Sequence, residues 1–136
     1  MTPSRVLLIE DDPLEATLAQ RTIRQIDKNI DVVVLRDGAH FLQFYQKNRP
    51  VKGVHLVIMD LHMPRIDGFG VLKTFQDANE RPPFPIVMFS ASEDQNEIDR
   101  AYALGASAFV NKPTIPQAYR SAMEHIVNFW LTTNRR

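Results

Sequence analysis

Five short apolar runs, each followed by a stretch with helical character, set what this chain can fold into. The runs lie at residues 5–10, 30–35, 54–59, 85–89 and 108–110. They are near-continuous and rich in valine and isoleucine, such as Val6-Leu7-Leu8-Ile9 and Val57-Ile58-Met59. Strands that show water one face alternate polar and apolar residues; strands covered on both faces do not. Buried strands joined by helical crossovers make a parallel sheet sandwiched by helices. The expected class is therefore α/β, built from five βα units.

The helical stretches carry their own punctuation. Asp12-Pro13-Leu14-Glu15 reads as an N-cap acid, a proline at the first helical position and a capping-box glutamate. Leu14, Leu18, Ile23 and Ile26 would give that helix its apolar side. Asp37-Gly38 turns into a helix bearing Phe41, Leu42 and Tyr45, and residues 68–78 form a third with Val71, Leu72 and Phe75 inward. Ser92-Glu93-Asp94-Gln95 reads as a second capping box, with Gly105 placed to stop its helix. Thr114-Ile115-Pro116-Gln117 is expected to cap the last helix, which extends to about residue 132. Residues 79–85 form a proline-rich loop, and no repeat or linker interrupts the pattern.

Charge and composition exclude several functions. Sixteen basic residues balance sixteen acidic ones, which argues against a nucleic-acid-binding surface. With no cysteine there is no disulfide, thiolate metal site or thiol nucleophile. The charged first dozen residues are unlike a secretory signal, and no apolar run reaches the ~20 residues that span a bilayer. A cytoplasmic protein with no membrane contact is the expectation.

Polar residues gather where such a sheet binds ligands, beyond the carboxyl ends of its strands. Glu10 and Asp11 follow the first strand, Asp60 the third, Ser90 the fourth and Lys112 the fifth. Carboxylates that converge repel one another and favour protonation, a conflict that a divalent cation resolves. Oxygen donors without a His or Cys cluster favour Mg²⁺. A carboxylate nucleophile beside Mg²⁺ suits an aspartyl-phosphate site, with Lys112 and the Ser90 hydroxyl available to phosphoryl oxygens. Asp12 has a sufficient task as a cap. His40, His55 and His125 are read as incidental, and His62, with no second histidine at ligand spacing, is not expected to ligate through its ring.

These residues resemble the response-regulator receiver domains of two-component signalling. The matching segments are Ile9-Glu10-Asp11-Asp12, then Val57-Ile58-Met59-Asp60-Leu61-His62-Met63-Pro64 with Asp67-Gly68, then Phe89-Ser90-Ala91, and lastly the run from Gly105 to Asn111-Lys112-Pro113. The likeness covers residues 5–131 of one domain, 1–136, with no effector domain expected. It implies a flavodoxin-like fold: five parallel strands in the order 2-1-3-4-5, with five helices on both faces. It further implies that Asp60 accepts a phosphoryl group from a histidine kinase or phosphotransfer protein. Asp11 would bind Mg²⁺ directly, Glu10 through water, and the His62 carbonyl would complete the protein's ligands. Ser90, Lys112 and Phe109 would read the phosphorylated state, with phenylalanine at a switch position that is often tyrosine. Positions 62 and 92 would tune its lifetime, and the Lys112–Pro113 bond would be cis.

The ending Phe129-Trp130-Leu131 resembles the single-domain regulators that partner bacterial phytochromes. That narrower likeness implies a sensor kinase of this kind as partner. Independently, Tyr119, Met123, Ile126 and Trp130 share one face of the last helix at ~100° per residue, and neighbouring apolar residues widen it. A face wider than packing on the sheet requires implies a homodimer through that helix. The leading function is a stand-alone phospho-switch with slow autodephosphorylation, not a conventional enzyme. A phosphate sink or relay is the alternative. A small-molecule aspartyl-phosphate phosphatase fits less well, because such enzymes typically place an acid where His62 stands. A pseudo-receiver would be expected to lack an acid or the lysine.

Overall fold

The computed structural model describes residues 4–133. Its strands are β1 (Arg5–Ile9), β2 (Asp31–Leu35), β3 (Leu56–Met59), β4 (Ile86–Ser90) and β5 (Ala108–Asn111). They alternate with α1 (Pro13–Ile26), α2 (Gly38–Lys47), α3 (Gly68–Asp77), α4 (Gln95–Ala103) and α5 (Pro116–Asn128), and a π-helical turn over Phe129–Thr133 follows. All pairings are parallel, and the sheet order is β2-β1-β3-β4-β5, as expected.

Side-chain alternation along each strand divides the core in two. Leu7, Ile9, Val57, Met59, Ile86 and Met88 face Phe41, Tyr45, Leu72 and Phe75 of α2 and α3. Val6, Leu8, Leu56, Ile58, Val87 and Phe89 face Ala19 and Ile23 of α1 and Tyr119, Met123 and Ile126 of α5. Both strand faces are therefore apolar, which is why the runs do not alternate. Phe41 is fully buried and meets Phe84 edge-on, with ring centroids 6.0 Å apart.

Helix ends follow the expected chemistry with local corrections. Asp12, Asp37 and Asp67 cap α1, α2 and α3 by accepting backbone amides. The α4 cap is Asp94, which accepts from Asn96, so the helix starts at Gln95 and Ser92 lies in the preceding turn. Ile115 occupies the α5 cap without a side-chain bond, so Thr114 does not cap it. Gly105 stops α4 with φ +104, a conformation that Cβ-bearing residues resist. Gly68 is required by close approach: a Cβ there would lie 3.2 Å from both the Leu61 Cα and the Met88 sulfur.

Two further expectations fail. Leu14 and Leu18 are 82% and 49% exposed, because α1 presents Ala16, Ala19 and Ile23 to the interior instead. That stripe has helical spacing, and its small residues let the helix lie close to the sheet. The Lys112–Pro113 bond is trans; the cis bond among the described residues is Arg49–Pro50. Lys112 reaches the site without the cis geometry, since its amide continues the ladder by donating to the Ser90 carbonyl at 2.7 Å.

Phe41→Ala empties a site closed on all sides and is expected to cost about 3–5 kcal/mol. Urea unfolding of the variant against the wild type measures this; a loss below about 1 kcal/mol would show that the aromatic cluster collapses to fill the space.

Candidate functional site

The sheet places the site residues by register. Ile9 pairs with Met59, so Glu10 and Asp60 leave adjacent strands together. Their backbones stay in the ladder: Glu10 N–H donates to the Leu35 carbonyl and Asp60 N–H to the Ile9 carbonyl, each at 3.0 Å. Ser90 pairs with Asn111, which brings Lys112 to the same edge two strands away.

Carboxylate oxygens of Glu10, Glu15 and Asp60 lie within 4.8 Å of one another. Lys112 Nζ donates to Glu10 Oε1 and to Glu15 Oε1, each at 3.2 Å. The lysine side chain is only 11% exposed and Glu10 5%, against 44% for Glu15. Asp11 is exposed beside Glu10 and falls outside this close group. The Ser90 hydroxyl is buried and accepts the Ser92 amide at 3.2 Å. Behind the acids the core closes, leaving a void of about 10 Å³ bordered by Leu8, Ile58, Phe89 and Tyr119. Any group added to Asp60 must come from solvent.

Burial dominates the electrostatics of the site. Burial pushes the Glu10 carboxyl up from its ordinary 4.5 to about 7, although the Asp12 amide and Lys112 oppose this. Burial also raises Asp60; Lys112 and the amides of Leu61 and His62 pull it down, while Glu15 pushes it further up. Burial would lower Lys112, but Asp60, Glu10 and Glu15 together raise it, so it stays charged.

Sequence reasoning missed several contacts. Glu15 belongs to the ion cluster instead of bonding its own cap. The His62 ring, expected to be idle, meets Glu97 Oε1 at 3.2 Å, and the Ser92 hydroxyl donates to the same oxygen. Tyr102 accepts the Phe109 amide at 3.0 Å through its hydroxyl. Asn111 donates to the Ala91 and Ser92 carbonyls, which ties β5 to the loop before α4. Asp37 caps α2 while also accepting from Arg65 at 3.0 Å. His40 and His55 have structural roles, each accepting a backbone amide through Nδ1. No simple spacing rule announces these bonds, which depend on loops meeting across elements.

Roomier cavities lie away from this chemistry. One of about 420 Å³, among Leu72, Phe75, Ala103, Leu104 and residues 79–82, lies where α3 and α4 end. Helices in βα units run back along the sheet, so this is the edge opposite Asp60.

Fold and sequence together define a protein of the receiver class. The family model for the response regulator receiver domain matches residues 6–124, and the chain belongs to that family. Response regulator Rcp1 of Synechocystis is 24% identical over 134 residues, covering 96% of this chain and 91% of its own length. A solved structure of the phosphorylated cyanobacterial phytochrome response regulator RcpA superposes with a TM-score of 0.87 at 23% identity, covering 98% of this chain and 97% of that one. The Mn²⁺-bound form of Rcp1 gives 0.83 at 24% identity, with 98% of both chains covered. At such identities the superpositions establish the fold. Receiver domains are phosphoacceptors that bind Mg²⁺ in their acidic pocket, not conventional enzymes. No helix among the described residues is long and apolar enough to cross a membrane.

Without a divalent cation, Glu10 should make stability pH-dependent. Its folded pKa exceeds the unfolded value, so the folded form holds a proton that the unfolded chain releases. The resulting stabilisation is full below the unfolded value of 4.5 and is lost as pH rises through about 7. The change is at most about 3 kcal/mol. In a chelator, the wild type should melt lower as pH rises through this window, and Glu10→Gln should flatten the dependence. An unchanged slope in the variant would assign the titration to another group.

Proposed function

We propose that the chain is a response regulator that takes a phosphoryl group onto Asp60 from a sensor histidine kinase or phosphotransfer protein. It would then signal through phosphorylation-dependent contacts with other proteins. The convergence of Lys112 and two further carboxylates on Asp60, at a site open only to solvent, carries this reading. In the transfer, an Asp60 oxygen forms a bond to phosphorus as the bond from phosphorus to the donor's histidine nitrogen breaks. The electron pair stays on that nitrogen, which then takes a proton. Lys112, charged and nearly buried, is placed to meet a phosphoryl oxygen. Ser90 would turn its hydroxyl from the Ser92 amide toward another, and Phe109 would move with it.

The donor set suits Mg²⁺: the acids offer only oxygen, and burial raises Glu10 to about 7, a cost that a bound cation would offset. Glu10, Asp11, Asp60 and the His62 carbonyl would hold the ion, which supplies charge to offset that of the phosphoryl group. Loss of phosphate would be slow and intrinsic. The similarity to RcpA, described as a phytochrome response regulator, supports a phytochrome-type kinase as partner. A phosphate sink or relay without output remains the second reading, since it needs the same site. The phosphatase reading is weaker, because the void beside Asp60 is only about 10 Å³. A cytoplasmic location fits such a partner.

Self-association through the C-terminal helix belongs to the same proposal. Trp130 is half-buried against the α1–α5 side of the core, while Phe129 is 47% exposed and stacks edge-on against it at 4.9 Å. Of the aromatic pair, Phe129 is the one free to enter an interface.

Asp60→Asn keeps the shape and removes the nucleophile. Incubated with Mg²⁺ and acetyl phosphate, the wild type should gain one phosphoryl group, located on Asp60 by mass spectrometry, and the variant none. Full labelling of the variant elsewhere would refute the assignment. Sedimentation should give a dimer at tens of micromolar for the wild type and a monomer for Phe129→Ala; two monomers would discard the self-association.

A further inference from the structure

Glu15 does not make the bond its position prescribes. At the third position of α1, behind an aspartate N-cap, a glutamate ordinarily reaches back to the cap residue's own amide. Here Glu10 Oε2 already accepts the Asp12 amide at 3.1 Å. Glu15 points the other way and accepts from Lys112. An ammonium has three donors, and Lys112 commits two of them to Glu10 and Glu15.

The two partners are not equivalent. Glu10 is 5% exposed and also bound to the Asp12 amide, so it has little access to water that could replace Lys112. Glu15, at 44% exposure, has water to replace the lysine. A phosphoryl oxygen on Asp60 would compete for the same ammonium within a few ångströms of both. It would displace the partner whose loss costs less. Glu15 also opposes the newcomer directly, since its carboxylate lies within 4.8 Å of those of Asp60 and Glu10.

We propose that Glu15 is a positioning residue, a stand-in anion that holds Lys112 beside Asp60 until a phosphoryl oxygen replaces it. Its release frees the first turn of α1, so phosphorylation is reported on the α1 side of the domain as well as on β4 and β5. This rests on Asp60 being the phosphoacceptor and adds a residue to that site.

Three proteins test it: the wild type, Glu15→Gln and Glu15→Asp, each first shown to melt cooperatively. With Mg²⁺ and acetyl phosphate, Glu15→Gln should label Asp60 about threefold to tenfold faster than the wild type, the size expected of one partly exposed charge. Glu15→Asp keeps the charge but is too short for Lys112, so its gain should be smaller. Backbone amide resonances of residues 14–17 give a second readout that a merely structural glutamate would not move. In the wild type they should shift on adding beryllofluoride, a phosphoryl mimic. In both variants they should lie near the shifted positions beforehand and move little. Labelling of Glu15→Gln at or below the wild-type rate, or wild-type shifts in the variants, overturns the inference while leaving Asp60 as acceptor. A wild type that takes up no phosphoryl group overturns both.

Discussion

The Lys112 ammonium beside Glu10, Glu15 and Asp60 is the interaction on which the rest of the site depends. Charges as little exposed as Lys112 and Glu10 cost several kcal/mol each unless matched. The match requires residues from three separate strands and a helix to end within a few ångströms. A parallel sheet supplies this geometry, because every strand delivers its carboxyl end to the same edge. The strict pairing of Ile9 with Met59 and of Ser90 with Asn111 leaves little freedom to slip. A one-residue slip would also turn an apolar row from one core to the other.

One cation against three carboxylates leaves the cluster negative. Such imbalance is a poor way to stabilise a fold and a good way to prepare for incoming charge. Buried Glu10 holds its proton to about pH 7, and a divalent ion would offset the cost of ionising it. The pairing around Lys112 is thus a resting arrangement, in which the protein's own anions occupy the place of a ligand.

The architecture was legible because it rests on pattern. Continuous apolar runs specify strands buried on both sides, and Asp12 and Asp37 announced their helices. The acids and the lysine were legible because they end those runs. What escaped reading depends on contacts between distant segments. The inward face of α1 was misassigned because Leu14 and Leu18 outweigh Ala16 and Ala19 in hydrophobicity, although the alanines fit better under the sheet. Glu15 fulfilled the spacing of a capping box, but Glu10 from the preceding strand end took the amide first. Ser92 had the spacing of a cap, but its hydroxyl bonds Glu97 and takes the Asp94 amide, and Asp94 caps α4.

The same loop chemistry bears on how a change at Asp60 would travel. The loop between β4 and α4 is held from three sides: Asn111 binds its carbonyls, the Ser90 hydroxyl takes the Ser92 amide, and Glu97 gathers Ser92 and His62. A turn of the Ser90 side chain toward a phosphoryl group would weaken its bond to the Ser92 amide. That would loosen the turn that sets the start of α4. On the far side of α4, Tyr102 anchors the β5 edge through the Phe109 amide, so a shift of the helix pulls on the strand carrying Phe109. A phenylalanine there lacks a hydroxyl to hold it in either rotamer. Its position must follow the packing around it, so Tyr102 supplies from the neighbouring helix the polar tie to β5 that residue 109 cannot provide through its own ring.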